Sequence, residues 1–176
     1  MKKFIALALA AIMLLSLSAV AVAEKYGLGI VTTISGSNAG EKDGKGQVNS
    51  IICALVLDDE SKIVSVKFDV AQTNIAFNAK GEFTSDTAAV QKSKMEKKEE
   101  YGMKKASGLG KEWYEQAQAL EAYCIGKTVE EVVSLETKLD EKTGHTQFVD
   151  ADMLAIVTIS VPEFLEALQK AADTAM

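Results

Sequence analysis

Residues 48 to 70, VNSIICALVLDDESKIVSVKFDV, decide the fold class. The first ten form a nearly continuous apolar run, which is typical of a buried strand. The acidic turn Asp58–Ser61 follows, and residues 62 to 70 then alternate between apolar and polar side chains. Because side chains alternate along a strand, one face is predicted to carry Val64, Val66, Phe68 and Val70. The stretch therefore predicts an antiparallel hairpin with one face on a hydrophobic core.

The segments on either side of this hairpin predict further strands and a polar helix. Residues 26 to 34 are rich in β-branched side chains and predict a strand, whereas the Gly-rich residues 35 to 47 predict a solvated loop. Residues 74 to 85 predict a short strand with a turn at Lys80–Gly81. The Lys- and Glu-rich residues 87 to 99 predict a largely solvated helix.

The C-terminal half predicts helices. A helix after residue 112 has one apolar stripe at helical spacing, formed by Trp113, Ala117, Leu120 and Cys124. Gly126 is predicted to end this helix, and Thr128 with Glu131 has the spacing of a capping box for the next. Residues 136 to 149 predict a polar loop or weak hairpin, and residues 161 to 174 a last helix. Strands followed by helices predict an α+β fold, an antiparallel sheet with helices packed on it.

The N-terminus has the pattern of a cleavable secretory signal. Lys2 and Lys3 precede an apolar run over residues 4 to 16, and Ala21–Ala23 forms a small-x-small cleavage site. We therefore expect a signal peptide over residues 1–23, a single domain over residues 24–176, and a secreted or cell-envelope location. No other segment is long and apolar enough to span a bilayer, so no integral membrane span is expected in the mature chain.

The charge of the chain excludes one class of partner. The 176 residues carry 19 basic and 25 acidic side chains, and every basic one is Lys. An acidic chain without Arg is unsuited to nucleic acid, whose binding depends on neutralising phosphates. A bound phosphate would have to use backbone N–H groups, hydroxyls or Lys.

Conventional catalytic and metal-binding sets are not found in the sequence. His145 is the only histidine and lies in a polar loop, which argues against His-based metal or triad sites. Cys53 and Cys124 are read as buried small apolar residues, and a disulfide between them stays open because export permits it.

Residues 152 to 163 precede and begin the last helix, and two interpretations are open for them: a helix cap and an anion-binding site. With Ser160 as N-cap, Glu163 stands three residues on, which is a capping-box pattern, and Pro162 is tolerated in the first turn. The same helix start, with free N–H groups and the positive end of the helix dipole, can bind an anion such as phosphate.

Residues 152 to 160, DMLAIVTIS, resemble the Asp-x-x-Ser-Gly-Ala-Thr-x-Thr motif of the FMN-binding domain family. This family includes the flavin-carrying subunits of the sodium-translocating quinone reductase and of Rnf-type complexes. By position Asp152 matches the leading acid, Thr158 the first Thr, and Ser160 the last Thr, which can carry FMN through a phosphoester bond in the family. Because Ser160 replaces that Thr and Ala155–Ile156 replace Ser-Gly, non-covalent FMN is favoured over covalent FMN.

Three further runs resemble uncharacterised exported bacterial proteins related to that family. They are YGMKKAS at residues 101 to 107, GKEW at residues 110 to 113 and GKTVEEV at residues 126 to 132. The similarity covers most of residues 48 to 172, and it implies an FMN-binding-domain-like fold.

The resemblance implies FMN as a cofactor and electron transfer in the cell envelope as a function, with a redox partner protein. The FMN phosphate would lie at the N-terminus of the last helix. The implied cofactor-binding residues are Asp152, Thr158, Ser160, Tyr114 and Lys111, with Tyr101, Trp113 and Lys105 as further candidates. No catalytic or metal-binding residue is assigned, and whether the protein is an enzyme stays open. The alternative is a secreted, non-catalytic binding or surface module that keeps the fold without flavin.

Overall fold

The computed structural model describes residues 24–176, and its core is a three-stranded antiparallel sheet. Strand β1 spans Lys25–Ser37, β2 spans Gly44–Leu57 and β3 spans Ile63–Phe77, in the order β1-β2-β3. The inward face is apolar as far as the row that pairs Val31 with Ile51 and Ile51 with Val70, and the next row, Thr33, Asn49 and Gln72, is polar. The predicted hairpin at residues 48 to 70 is confirmed.

A β-bulge shifts the apolar face at the start of β3. Leu57 pairs with Ile63 but Val56 pairs with Ser65, so Val64 has no partner of its own on β2. As a result Ile63 is 1% exposed and Val64 is 44% exposed. The prediction that Val64 shares the inward face was therefore wrong, because a bulge adds one residue and reverses the alternation on one side of it.

Helices cover the inward face of the sheet. Helix α1 spans Lys94–Lys97, α2 Trp113–Cys124, α3 Val129–Val133, α4 Ala151–Leu154 and α5 Pro162–Asp173. The predicted stripe on α2 is fully buried. A second, two-stranded sheet pairs β4, Thr137–Asp140, with β5, His145–Phe148. Antiparallel sheets with helices packed on one face establish the α+β class.

The predicted helix over residues 87 to 99 was wrong. The chain is irregular up to Ser93, which caps the single turn of α1 together with Glu96, and a 3₁₀ turn at Lys98–Tyr101 follows. Residues 86 to 92 are all exposed. Because Ala88, Ala89 and Val90 are exposed and not packed against the core, this stretch lacks the tertiary packing that stabilises most helices in proteins.

The edge of β3 is held by a buried carboxylate of α2. Glu121 is 4% exposed, and its Oε1 accepts a hydrogen bond from the backbone N–H of Phe68 at 2.9 Å. Its Oε2 receives the Lys67 ammonium at 2.6 Å. This ion pair satisfies a buried charge at the place where the sheet edge meets the helix.

The backbone of α5 lies directly against β1. A Cβ atom built on Gly29 would lie 1.9 Å from the carbonyl oxygen of Ala167, and one on Gly27 would lie 1.9 Å from that of Ala171. Only glycine permits this approach.

Within residues 24–176, no helix combines the length and apolar character needed to cross a membrane. The predicted signal peptide lies outside the described residues.

The two cysteines are free thiols in the core. Cys53 on β2 and Cys124 at the end of α2 are both 0% exposed. Burial raises the pKa of each thiol to about 12. The reading of both as buried apolar residues is confirmed, and the structure contains no bond between them.

We expect Gly29→Ala to lower the free energy of unfolding by about 2–3 kcal/mol, because the new methyl group must displace the α5 backbone. Urea denaturation followed by circular dichroism measures this loss. Gly40→Ala is the matched control, since a Cβ there meets nothing within 4 Å, and its effect should stay within about 0.5 kcal/mol. Equal effects of the two substitutions would contradict the close packing of α5 on β1.

We expect neither thiol to be alkylated by iodoacetamide in the folded protein near neutral pH. The raised pKa keeps both thiols protonated, and burial excludes the reagent. Intact-mass spectrometry should show no adduct before denaturation and two adducts after it. An adduct on the native protein would show that one thiol is accessible.

Candidate functional site

Two adjoining cavities lie at the start of α5. The first has a volume of about 210 Å³, and the second about 250 Å³. Both are lined by Met103, His145 and Ile159, so these residues form a common wall. Each cavity is smaller than a typical ligand site, whereas the two together reach the lower part of that range, which begins at about 300 Å³.

The first cavity combines aromatic rings, hydroxyls and one cation. Its lining includes Thr33, Asn49, Lys94, Tyr101, Trp113, Ser160 and Glu163. The Lys94 ammonium lies 4.9 Å from the centre of the Tyr101 ring and 5.5 Å from that of Trp113. A cation over aromatic faces is attracted by their electron density, which orders the lysine side chain at the cavity wall.

Helix α1 carries this lysine, and the sheet holds α1 in place. The Asp69 carboxylate on β3 accepts a hydrogen bond from the backbone N–H of Met95 at 3.0 Å. The Ser93–Glu96 capping box stabilises the single turn from its N-terminal side. The short α1 therefore serves to position Lys94 over the cavity.

The start of α5 differs from the predicted cap. The N-cap is Val161, with Pro162 at the first helical position, and no side chain caps the helix. Val161 is 0% exposed and its N–H donates to the carbonyl of Thr146 at 3.0 Å. The Ser160–Glu163 capping box was therefore wrong, because burial of Val161 fixes the helix start one residue later. Ser160 instead lines the first cavity.

A buried glutamine holds the segment that precedes α5. Gln116 on α2 is 0% exposed, and its Oε1 accepts hydrogen bonds from the N–H of Thr158 at 2.7 Å and from its hydroxyl at 3.2 Å. Its Nε2 donates to the Ser107 hydroxyl at 3.0 Å. Gln147 holds the same segment from β5, donating to the Thr158 carbonyl at 2.6 Å. Both Thr158 and Ser107 line the second cavity, so Gln116 connects two of its walls.

The buried side chain of Glu112, the N-cap residue of α2, fixes the common wall. Glu112 is 6% exposed, and its Oε2 accepts a hydrogen bond from the backbone N–H of Met103 at 2.8 Å. Its own N–H donates to Glu115 Oε2 at 2.7 Å. The loop that carries Met103 is thus tied to the first turn of α2.

The structure brings two of the five predicted site residues to the cavities. Ser160 lines the first and Thr158 the second. Asp152 is exposed on α4, whose N-cap is Asp150, and it lines neither cavity. Lys111 and Tyr114 also lie outside the lining. The Tyr114 hydroxyl donates to Glu99 at 2.9 Å, and this hydrogen bond raises the pKa of Tyr114.

Sequence reasoning missed three residues of this region. His145, read as an ordinary loop residue, is exposed but forms part of the wall common to both cavities. Lys94 lay in the segment predicted as a solvated helix. Gln116 had a usable signal, because it stands three residues after Trp113 on the buried stripe of α2, where a polar side chain requires partners.

Comparison with known proteins gives one relative and no family. No family model matches the chain, and no solved structure matches it. A protein of Desulfitobacterium hafniense named chlorophenol reductase is 32% identical over 155 residues, covering 78% of this chain and 47% of that protein. The chain thus spans about half the length of this curated relative.

We expect Gln116→Leu to destabilise the protein by about 2–3 kcal/mol, because the buried N–H of Thr158 loses its acceptor while leucine cannot replace it. Urea unfolding is the measurement. Gln118→Leu is the same substitution at an exposed position of the same helix and should change little. Equal stability of the two variants would show that the hydrogen bonds of Gln116 to Thr158 and Ser107 do not hold the two loops together.

Proposed function

We propose that this chain is an exported flavoprotein that binds FMN non-covalently at the two cavities and transfers electrons in the cell envelope. The observation that carries the proposal is the first cavity, where an α-helix start without a side-chain cap, a hydroxyl, a cation and two aromatic rings surround one space. The exported location rests on the pattern of residues 1 to 23.

The start of α5 fits the phosphate end of FMN. Anions are stabilised at helix N-termini by the helix dipole and by free N–H groups. At α5 the Val161 N–H donates to Thr146, the Phe164 N–H donates to Val161, and Pro162 has no N–H, so the dipole and the Glu163 N–H are what the helix start offers. Ser160 supplies a hydroxyl to the cavity lining, and Lys94, beside the Tyr101 and Trp113 rings, supplies a positive charge. Glu163 in the first turn has the opposite effect, since its carboxylate repels an anion and so limits affinity.

The aromatic and apolar lining fits the uncharged part of the ligand, and the Tyr101 and Trp113 rings lie beside Lys94 and so border the phosphate. Trp113 is 3% exposed and is packed against Phe164, with ring centres 6.0 Å apart, so its plane is fixed by the core. Tyr101, Met103 and Ile159 add apolar surface. Because either cavity alone is small, a ligand of this size would extend across the common wall at His145 into the second.

The redox role is supported by the names of known proteins rather than by a catalytic group in this chain. The relative of Desulfitobacterium hafniense is named a reductase, and residues 152 to 160 resemble an FMN-binding motif. When bound, FMN supplies one- and two-electron chemistry, while the protein binds and orients it. A redox partner protein would supply or accept the electrons.

The alternative is a binding module that keeps the fold without flavin. One observation favours it: Asp152, the leading acid of the motif, is exposed and outside both cavities. In that case Thr158 serves the structure through Gln116, and the cavities take a smaller ligand.

Titration of the purified chain with FMN and with riboflavin separates these functions. We expect FMN to bind more tightly than riboflavin, which lacks the phosphate, with quenching of flavin fluorescence as the readout. Lys94→Met should weaken FMN binding by about tenfold, equivalent to about 1.4 kcal/mol, and weaken riboflavin binding by less, because riboflavin has no phosphate for the ammonium to attract. Glu163→Gln should tighten FMN binding, because it removes a like charge.

Lys111→Met is the matched control, since Lys111 lies outside the cavity lining and its loss should have no effect. After denaturation, the flavin should separate from the chain, as expected for non-covalent binding. Absence of binding by both flavins would exclude the flavoprotein and favour the alternative.

A further inference from the structure

The outer edge of β1 has unpaired hydrogen-bonding groups. At one end of the edge, Tyr26 exchanges two backbone hydrogen bonds with Met176, at 3.1 and 3.2 Å. The Leu28 N–H donates to the Thr174 hydroxyl at 3.1 Å, and that hydroxyl donates to the Leu28 carbonyl at 3.0 Å. The backbone N–H and C=O groups of successive residues point to opposite sides of a strand. Those of Ile30, Thr32 and Ile34 therefore point away from β2, as those of Tyr26 and Leu28 do. They have no hydrogen-bond partner among residues 24–176.

This edge lacks the features that normally prevent strands from pairing. Natural edge strands are short, charged, bulged or interrupted by Pro. Strand β1 has 13 residues in unbroken register with β2, and residues 26 to 37 contain neither a charge nor a proline. Ile30 is 49% exposed and Ile34 79% exposed. A long, regular and apolar edge is therefore open to another strand.

We propose that β1 pairs antiparallel with β1 of a second copy of this chain, joining two three-stranded sheets into one of six strands around a two-fold axis at Thr32. Thr32 then lies opposite Thr32 of the second copy, and Ile30 lies opposite its Ile34. The C-terminal residues that pair with Tyr26 and Leu28 in each copy limit the ladder at both ends, because the two-fold axis repeats them.

Charge favours a second copy as the occupant. A two-fold contact places the same patch of both copies together, so a charge near the axis faces a like charge. The chain carries a formal charge of −6, yet the paired segment has none. An uncharged segment in an acidic chain therefore brings no like charges of the two strands together when β1 pairs with itself.

Side-chain packing favours the register around Thr32. Cross-strand pairs of β-branched residues, and Thr–Thr pairs, stabilise antiparallel ladders. On the outer face Ile30 is next to Ile52 and Ile34 is next to Val48 within each copy. The two Ile30–Ile34 contacts would thus extend an apolar surface that already continues onto β2.

A cysteine at the axis tests the register. Directly opposed residues of a hydrogen-bonded antiparallel pair have Cα atoms about 5.5 Å apart, which matches disulfide geometry. Under mild oxidation Thr32→Cys should form a covalent dimer on non-reducing gels, whereas Thr33→Cys, whose two copies are offset along the ladder, should not. The native Cys53 and Cys124 are buried and do not interfere. Cross-linking at Thr33 but not at Thr32 would overturn the register.

Sedimentation equilibrium tests the association itself. The full chain should be a dimer. Ile34→Lys should raise the dissociation constant of the dimer at least tenfold, because it places a charge opposite Ile30 of the second copy. Ile34 is exposed in the single chain, so folding should be retained, as circular dichroism can verify. Leu139→Lys, at an exposed apolar position on β4, is the control and should leave the dimer intact. A monomeric full chain, or a dimer unaffected by Ile34→Lys, would overturn the proposal.

Discussion

The approach of the α5 backbone to β1 is the constraint on which the rest of the structure depends. Two glycines on β1 leave room for the carbonyl groups of Ala167 and Ala171, so the helix lies closer to the sheet than side chains would permit. At this depth Phe164 reaches Phe68, with ring centres 5.5 Å apart, and also Trp113. The position of α5 therefore sets both the centre of the core and the wall of the first cavity.

The cavities owe their shape to the segment before α5. Residues 157 to 161 alternate between the core and the cavity side: Val157, Ile159 and Val161 are buried, while Thr158 and Ser160 are only partly buried. Such alternation is the pattern of an extended chain, although this segment is not part of a sheet. Its backbone bonds to Gln116 and Gln147 substitute for those of a neighbouring strand.

Sequence reasoning predicted the elements with strong periodic patterns and missed those fixed by tertiary contacts. The hairpin at residues 48 to 70, the apolar stripe of α2 and the Thr128 cap follow from local rules, and the structure contains all three. The exposure of Val64 depends on a bulge, and the start of α5 depends on burial of Val161. Neither the bulge nor the burial of Val161 is marked by a pattern in the neighbouring sequence. The predicted residues that line the cavities are Thr158 and Ser160, with Tyr101 and Trp113 from the further candidates. Lys94 and His145 were missed because they reach the cavities from chain segments distant in sequence.

The buried polar side chains of α2 and of its N-cap fix the position of the helix. Glu112, Gln116 and Glu121 each accept a backbone N–H from a different segment: the loop at Met103, the loop at Thr158 and the edge strand at Phe68. A rotation of α2 by one residue would leave all three donors unpaired, so the helix has a single permitted setting. The loop at Met103, the loop at Thr158 and the strand edge at Phe68 are therefore anchored to one helix, so displacing any of them from α2 would leave a buried side chain without its donor.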